Sequence, residues 1–214
     1  ELEDPAIDAE TRKKVFEMVE FWSKESTSAK LRAAYTVEMK QYLPSDDWMH
    51  QSGIAFPLYR LTGGNVNWKM LLKKGIPGLI KDAEEAKQKA VSENKEPEFY
   101  EGIKIALEVL VDVCHWYAKQ AVELKNQTKD EKRKEELQQI ADTLEMITIS
   151  APKTMREAIQ LFWLYSYVGD IRNYGRMDVW LGDFLVNDLE NGIVNEDEAL
   201  KLLQSLWRLI GARN

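Results

Sequence analysis

Pro152-Lys153-Thr154-Met155-Arg156-Glu157-Ala158-Ile159-Gln160-Leu161-Phe162-Trp163-Leu164-Tyr165-Ser166-Tyr167-Val168 is the stretch whose reading decides the fold. Pro152 ends one element. Thr154, followed three residues later by Glu157, makes a capping box that opens a helix. From Ala158 to Val168 nearly every residue is apolar or aromatic, so this helix needs cover on most of its circumference. In a chain of 214 residues such a helix implies a helical architecture, and the expectation is that its cover comes from protein beyond this chain.

Working outward, helical periodicity dominates on both sides. Downstream, Gly169 to Gly175 is a break and Met177 to Glu190 is helix-compatible. Asn191-Gly192 forms a C-terminal stop with glycine at C′. Asn195 with Glu198 makes a second capping box for a last helix whose predicted face is Leu200, Leu203, Leu206, Trp207 and Ile210. Upstream, Leu137, Ile140, Leu144 and Ile147 mark an amphipathic run after the charged segment 128–136. The longest predicted helix spans about Glu98 to Asn126, with Phe99, Ile103, Ala106, Leu110, Val113, Tyr117, Ala121 and Leu124 on its core face. Helical character from Asn67 pauses at Gly75 and Pro77 and resumes from Gly78 to about Asn94. Before that, Ser45 to Gly64 reads as irregular, a helix is predicted from Ser28 to about Leu43, and the first helix, from Ala9 to Lys24, is capped by Asp8.

Composition sets the outer limits. At 44% hydrophobic and 30% charged residues the chain is an ordinary globular protein, long enough for one sizeable core. A net charge of −7 argues against a nucleic-acid partner, which needs a clustered basic surface. No run approaches the roughly 18 consecutive apolar residues of a membrane span, so the expected location is the cytoplasm. One cysteine, Cys114, and two histidines give no disulfide and no metal cluster of ordinary spacing. The chain opens at Glu1 and stops at Asn214 after a helix-like run; both ends are expected to be cuts.

Several strings, taken in order, resemble the glycyl radical enzyme family, of pyruvate formate-lyase-like type. Trp68 to Ile80 is similar to that family's helix and glycine-paced turn. Arg133-Lys134-Glu135-Glu136-Leu137 with Ile140-Ala141 resembles its charged helix before a proline, and Pro152 to Trp163 its helix carrying Glu-Ala-x-Gln and then Phe-Trp. Gly175-Arg176-Met177-Asp178 looks like its Gly-Arg-x-Asp element, followed by Asp188-Leu189, Gly192, Glu198-Ala199-Leu200 and Leu206-Trp207. The resemblance implies a mainly α fold as it stands, the helical N-terminal part of a ten-stranded α/β barrel, with residues 1–214 a partial domain lacking the catalytic cysteine and glycine loops. It implies no catalytic residue and no cofactor bound by this chain. The full-length enzyme would carry a glycyl radical installed by a radical-SAM activating enzyme, and its partners would be the C-terminal part of the same polypeptide, that activase and a second copy in a homodimer, working in anaerobic metabolism.

Candidates for a substrate cavity are His50, Arg60, Asn65, Asn67, Tyr174, Arg176 and Asp178, with no metal ligand among them. Arg176 offers a bidentate fork for a carboxylate; alternatively it pairs with Asp178, itself well placed in a first helical turn. Asn65 and Asn67 follow Gly63-Gly64, where a polar residue lines a cavity or a turn and a helix cap explain the same letters. His50 and Arg60 fall in the irregular stretch, where loop residues carry function more often than helical ones. Cys114, among Val111, Val113 and Tyr117, reads as an inert packed thiol, and His115 as exposed. The His-Ser pair of dehydratase-type relatives is absent from Asp170 to Tyr174. A different class of function is a free-standing helical module using the aromatic helix as an interface; an effector domain that kept the fold and lost the chemistry is a third.

Overall fold

The structure, a computed structural model, describes residues 8–42 and 66–213. The chain divides into two compact units, Glu1–Gly63 and Gly64–Asn214. The irregular stretch predicted at Ser45 to Gly64, with His50, Arg60 and the neighbouring Asn65, lies outside the described residues.

In the first unit, α1 (Ala9–Glu25) starts where expected, with the Asp8 carboxylate accepting the Thr11 N–H at 2.9 Å. The single helix predicted from Ser28 is instead two, α2 (Thr27–Ala34) and α3 (Val37–Lys40). Tyr35 and Thr36 are extended between them, and the Thr36 hydroxyl accepts the Met39 N–H, so Thr36 serves as a new N-cap rather than a mid-helix residue.

The second unit is built of α4 (Trp68–Ser92), α5 (Glu98–Gln127), α6 (Glu131–Ile149), α7 (Met155–Val168), α8 (Met177–Glu190) and α9 (Glu196–Arg213); no strand occurs among the described residues. Polar side-chain contacts fix the directions. Lys87 pairs with Glu101 and Lys104 with Glu84, while His115 meets Glu145 and Lys125 meets Gln138. In both sets one number falls as the other rises, so α4 and α6 each run antiparallel to α5. The predicted pause in α4 is a kink at Gly75, whose φ of 65° is left-handed. A Cβ there would sit 2.6 Å from the Ala151 Cα. Only glycine lets the α6–α7 connection come this close.

The core runs through Leu71, Leu72 and Ile76, Leu107, Leu110 and Cys114, Leu144 and Ile147, Leu161 and Phe162, Trp180 and Leu206. Three expectations are corrected here. The buried face of α5 is Leu107, Leu110, Cys114, Ala118 and Ala121: Leu110 and Ala121 lie on the predicted face, while Leu107, Cys114 and Ala118 each lie one residue on from a predicted position, so the face is turned by part of the ~100° that separates successive residues. Phe99, Ile103, Tyr117 and Leu124 are exposed. Small side chains at 114, 118 and 121 let α6 lie close, and the larger ones are left outside. In α9, Ala199 and Leu206 are buried and Leu203 and Ile210 half-buried, whereas Leu200 and Trp207 face out.

The third correction concerns α7. Phe162, Leu161 and Ala158 are 0% exposed, enclosed by α4, α5, α6, α8 and α9, each of which packs against α7. Its cover therefore comes from this chain. Only Tyr167 and Val168 at its end stand open, so α7 is a core element and not the free interface helix expected above.

Candidate functional site

Three of the candidate side chains come from the connection between α7 and α8 and the first turn that follows it. Gly175, at φ 58°, reverses the chain, and its N–H bonds the Asn173 side chain at 3.2 Å. Arg176 and Asp178 then pair in a bidentate way, with Nε donating to Oδ1 at 2.8 Å and Nη2 to Oδ2. Both are exposed. The Arg176 hydrogen bonds hold the Asp178 carboxyl below its ordinary pKa, helped by the helix N–H groups around it, and the same bonds raise Arg176. The arrangement is a preformed guanidinium facing water, its charge matched by one carboxylate.

Tyr174 points the other way. Its ring meets Phe162 edge-on at 5.4 Å, joining a cluster in which Trp68 lies 4.8 Å from Phe162 and Trp180 4.6 Å from Phe162. The Trp180 indole N–H donates to the Tyr174 carbonyl at 3.2 Å. The Tyr174 hydroxyl is buried without a partner among the described residues, an uncommon state for a polar atom. Asn67 is an N-cap: its side-chain oxygen accepts the Met70 N–H at 3.0 Å. The next residue, Trp68, lies against Gly175. The fold therefore brings the start of α4 to Tyr174–Arg176. His50, Arg60 and Asn65 cannot be assigned to this grouping because they fall outside the described residues.

Sequence reasoning missed two tertiary anchors, one at each end of α7. Asp188, fully buried, accepts the Met155 N–H at 2.7 Å and so closes the N-terminus of α7. A signal existed: a carboxylate in the last turn of α8 opposes that helix's own dipole, which points to a tertiary use. Arg213, whose side chain is only 10% exposed, donates to the Ser166 and Ile171 carbonyls at 2.8 and 3.1 Å and to Asp170 at 2.8 Å. No sequence signal marks it, because a base in the last turn of α9 is explained by the dipole alone.

Cys114 is buried, and burial together with the Glu145 charge pushes its thiol up to about 12. It stays protonated at neutral pH. His115 is half exposed and meets Glu145 at 2.9 Å. Among the described residues no group of three or more His, Cys, Asp or Glu side chains converges to hold a metal, and no helix is long and apolar enough to cross a membrane. An open apolar groove of about 730 Å³ lies between α4, α5 and the end of α7, lined by Met70, Leu79, Tyr100, Ile103, Val109 and Tyr165 among others. None of the candidate residues lines it.

In sequence and fold this helical unit is similar to the N-terminal portion of the glycyl radical enzymes. The family model for pyruvate formate lyase-like proteins matches residues 1–213, and the chain belongs to that family. It is 30% identical over 209 residues to trans-4-hydroxy-L-proline dehydratase of Clostridioides difficile, covering 89% of this chain and 25% of that protein. The crystal structure of the C. difficile hydroxyproline dehydratase with its substrate bound matches at a TM-score of 0.66 and 28% identity, over 94% of this chain and 27% of that one. The B12-independent glycerol dehydratase of Clostridium butyricum matches at a TM-score of 0.70 and 23% identity, over 94% and 26% of the two chains. The chain thus spans about a quarter of the length of the relatives it matches.

Proposed function

We propose that this chain is the helical scaffold at the N-terminal side of a glycyl radical lyase, silent by itself, which supplies barrel support and part of the substrate cavity wall. The observation that carries this is the family match along residues 1–213 combined with coverage of only a quarter of the relatives. In this reading residues 1–214 are one partial domain, and the remaining polypeptide brings the radical glycine and the reactive cysteine. The residues present do not fit that chemistry: the only thiol, Cys114, is fully buried within α5, where no substrate reaches it. A radical-SAM activase, a homodimeric assembly, a cytoplasmic location and an anaerobic role belong to the same proposal, as does membership among the lyases or the formate acetyltransferase-like acyltransferases.

The cavity wall is assigned to the α7–α8 connection. Arg176 presents a charged fork at its edge, Tyr174 carries a buried hydroxyl that no described residue engages, and Asn67 stands at the neighbouring helix start. Arg176 suits an anionic group on a substrate, exchanging Asp178 for it as the bidentate partner.

The test is the full-length gene product, activated anaerobically. Electron paramagnetic resonance is expected to show a glycyl doublet, and Arg176→Ala is expected to raise KM more than it lowers kcat. A native reading frame that stops near Asn214, or one that continues without a radical glycine, would sink the proposal.

A further inference from the structure

We propose that Arg213 is a positioning residue for the connection between α7 and α8: from the far end of α9 it fixes the path of the chain that presents Tyr174 and Arg176. The assignment rests on the reading of that connection as cavity wall.

Helix α7 ends at Val168 with carbonyls that have no helical partner. The Ser166 carbonyl accepts both the Ile171 N–H at 2.9 Å and Arg213 Nη1 at 2.8 Å. The same Nη1 reaches the Ile171 carbonyl, and Nη2 reaches the Asp170 carboxylate. Asp170 sits at φ 48°, a left-handed conformation that costs a non-glycine residue free energy unless its surroundings hold it there. Arg213 does so from three sides at once: the preceding helix end, the following carbonyl and the side chain itself. Its guanidinium also lies 5.7 Å from the Tyr167 ring centroid, a cation–π distance. Arg172 offers Asp170 only a 3.5 Å contact from a more exposed side chain, so Arg213 is the principal tie.

If Arg213 served only the dipole of its own helix, its side chain would lie along α9. Instead it crosses to a different helix and uses the planar fork that lysine lacks. Arg213 ties the connection up to Ile171, and the Trp180 indole ties it at Tyr174. Releasing the first loosens the path of the chain that leads to Tyr174 and Arg176.

Hydrogen exchange on the 214-residue chain reads this directly. In Arg213→Ala, amides from Gly169 to Arg176 are expected to exchange about tenfold faster or more, with a shifted Trp180 indole N–H resonance and unchanged protection in α4, α5 and α6. The milder Arg213→Lys, which keeps the charge without the fork, is expected to recover part of the protection. An unchanged connection overturns the proposal, as does equal loosening of α4 to α6, or full recovery by lysine. The readout needs neither substrate nor radical. A confirmed tie together with an Arg176→Ala enzyme of normal KM would therefore remove the cavity reading alone.

Discussion

Helix α7 and the outer side of α5 carry comparable loads of large apolar side chains, and their fates differ. In α7, Phe162 is fully enclosed and packs against Trp68, Tyr174 and Trp180. On α5, Ile105, Val109 and Trp116 form one stripe, at spacings of four and seven, and each is about half exposed. Five helices surround α7, so an element that is apolar all round finds cover within the unit. Helix α5 has two apolar sides and neighbours for only one. The difference teaches that an apolar helix states how much cover it needs, while the set of neighbours decides where cover runs short. Here the shortfall falls on α5, not on α7.

The comparison breaks most directly at Phe162. Phe162→Ala is expected to lower unfolding stability by about 3–5 kcal/mol, a large share of the ~5–15 kcal/mol typical of a folded domain. Urea denaturation followed by tryptophan fluorescence measures it. A loss below about 1 kcal/mol would mean that α7 is not the centre of the core in solution.

Gly75→Ala comes next. It forces a side chain onto a left-handed residue, at a cost of about 1–3 kcal/mol, and drives a Cβ to 2.6 Å from the Ala151 Cα. The expected result is a lower thermal midpoint with faster amide exchange in the α6–α7 connection. Pro77, just beyond the kink, is not expected to show this sensitivity.

Asp188→Ala leaves the Met155 N–H without its partner inside the protein and is expected to cost about 1–3 kcal/mol. Asp188→Asn keeps an acceptor and should recover most of the loss. Equal effects from both would indicate that the charge, rather than the cap, is what α7 requires.

These sites also mark how far the sequence could be read. Helix ends written in local chemistry were legible. The Thr154–Glu157 box, the Asn195–Glu198 box, the Asp8 cap and Gly192 at φ 65° are all present as expected. The family was legible from the order of its motifs. On α5, Leu110 and Ala121 were legible as inward-facing, but the turn of that face toward Leu107, Cys114 and Ala118 was not, because it depends on small residues admitting α6. The Arg176–Asp178 pair was legible as one of two readings. The grip of Asp188 on Met155 spans 33 residues, and that of Arg213 on Ser166 spans 47. Contacts between distant residues of this kind depend on tertiary packing, which no local pattern encodes.

The smallest effect is the sharpest test of the difference between the two regions. On the α5 stripe, Val109→Ser is expected to change stability by no more than about 0.5 kcal/mol, as for exposed positions, and Trp116→Ser by no more than about 1 kcal/mol, since it also gives up an edge-on contact with Tyr117 at 4.8 Å. Removing exposed apolar area should also reduce self-association of the isolated chain, as sedimentation velocity would register. Should Trp116→Ser instead cost more than about 1 kcal/mol at a concentration where the chain is monomeric, the stripe must already be covered by this chain in solution.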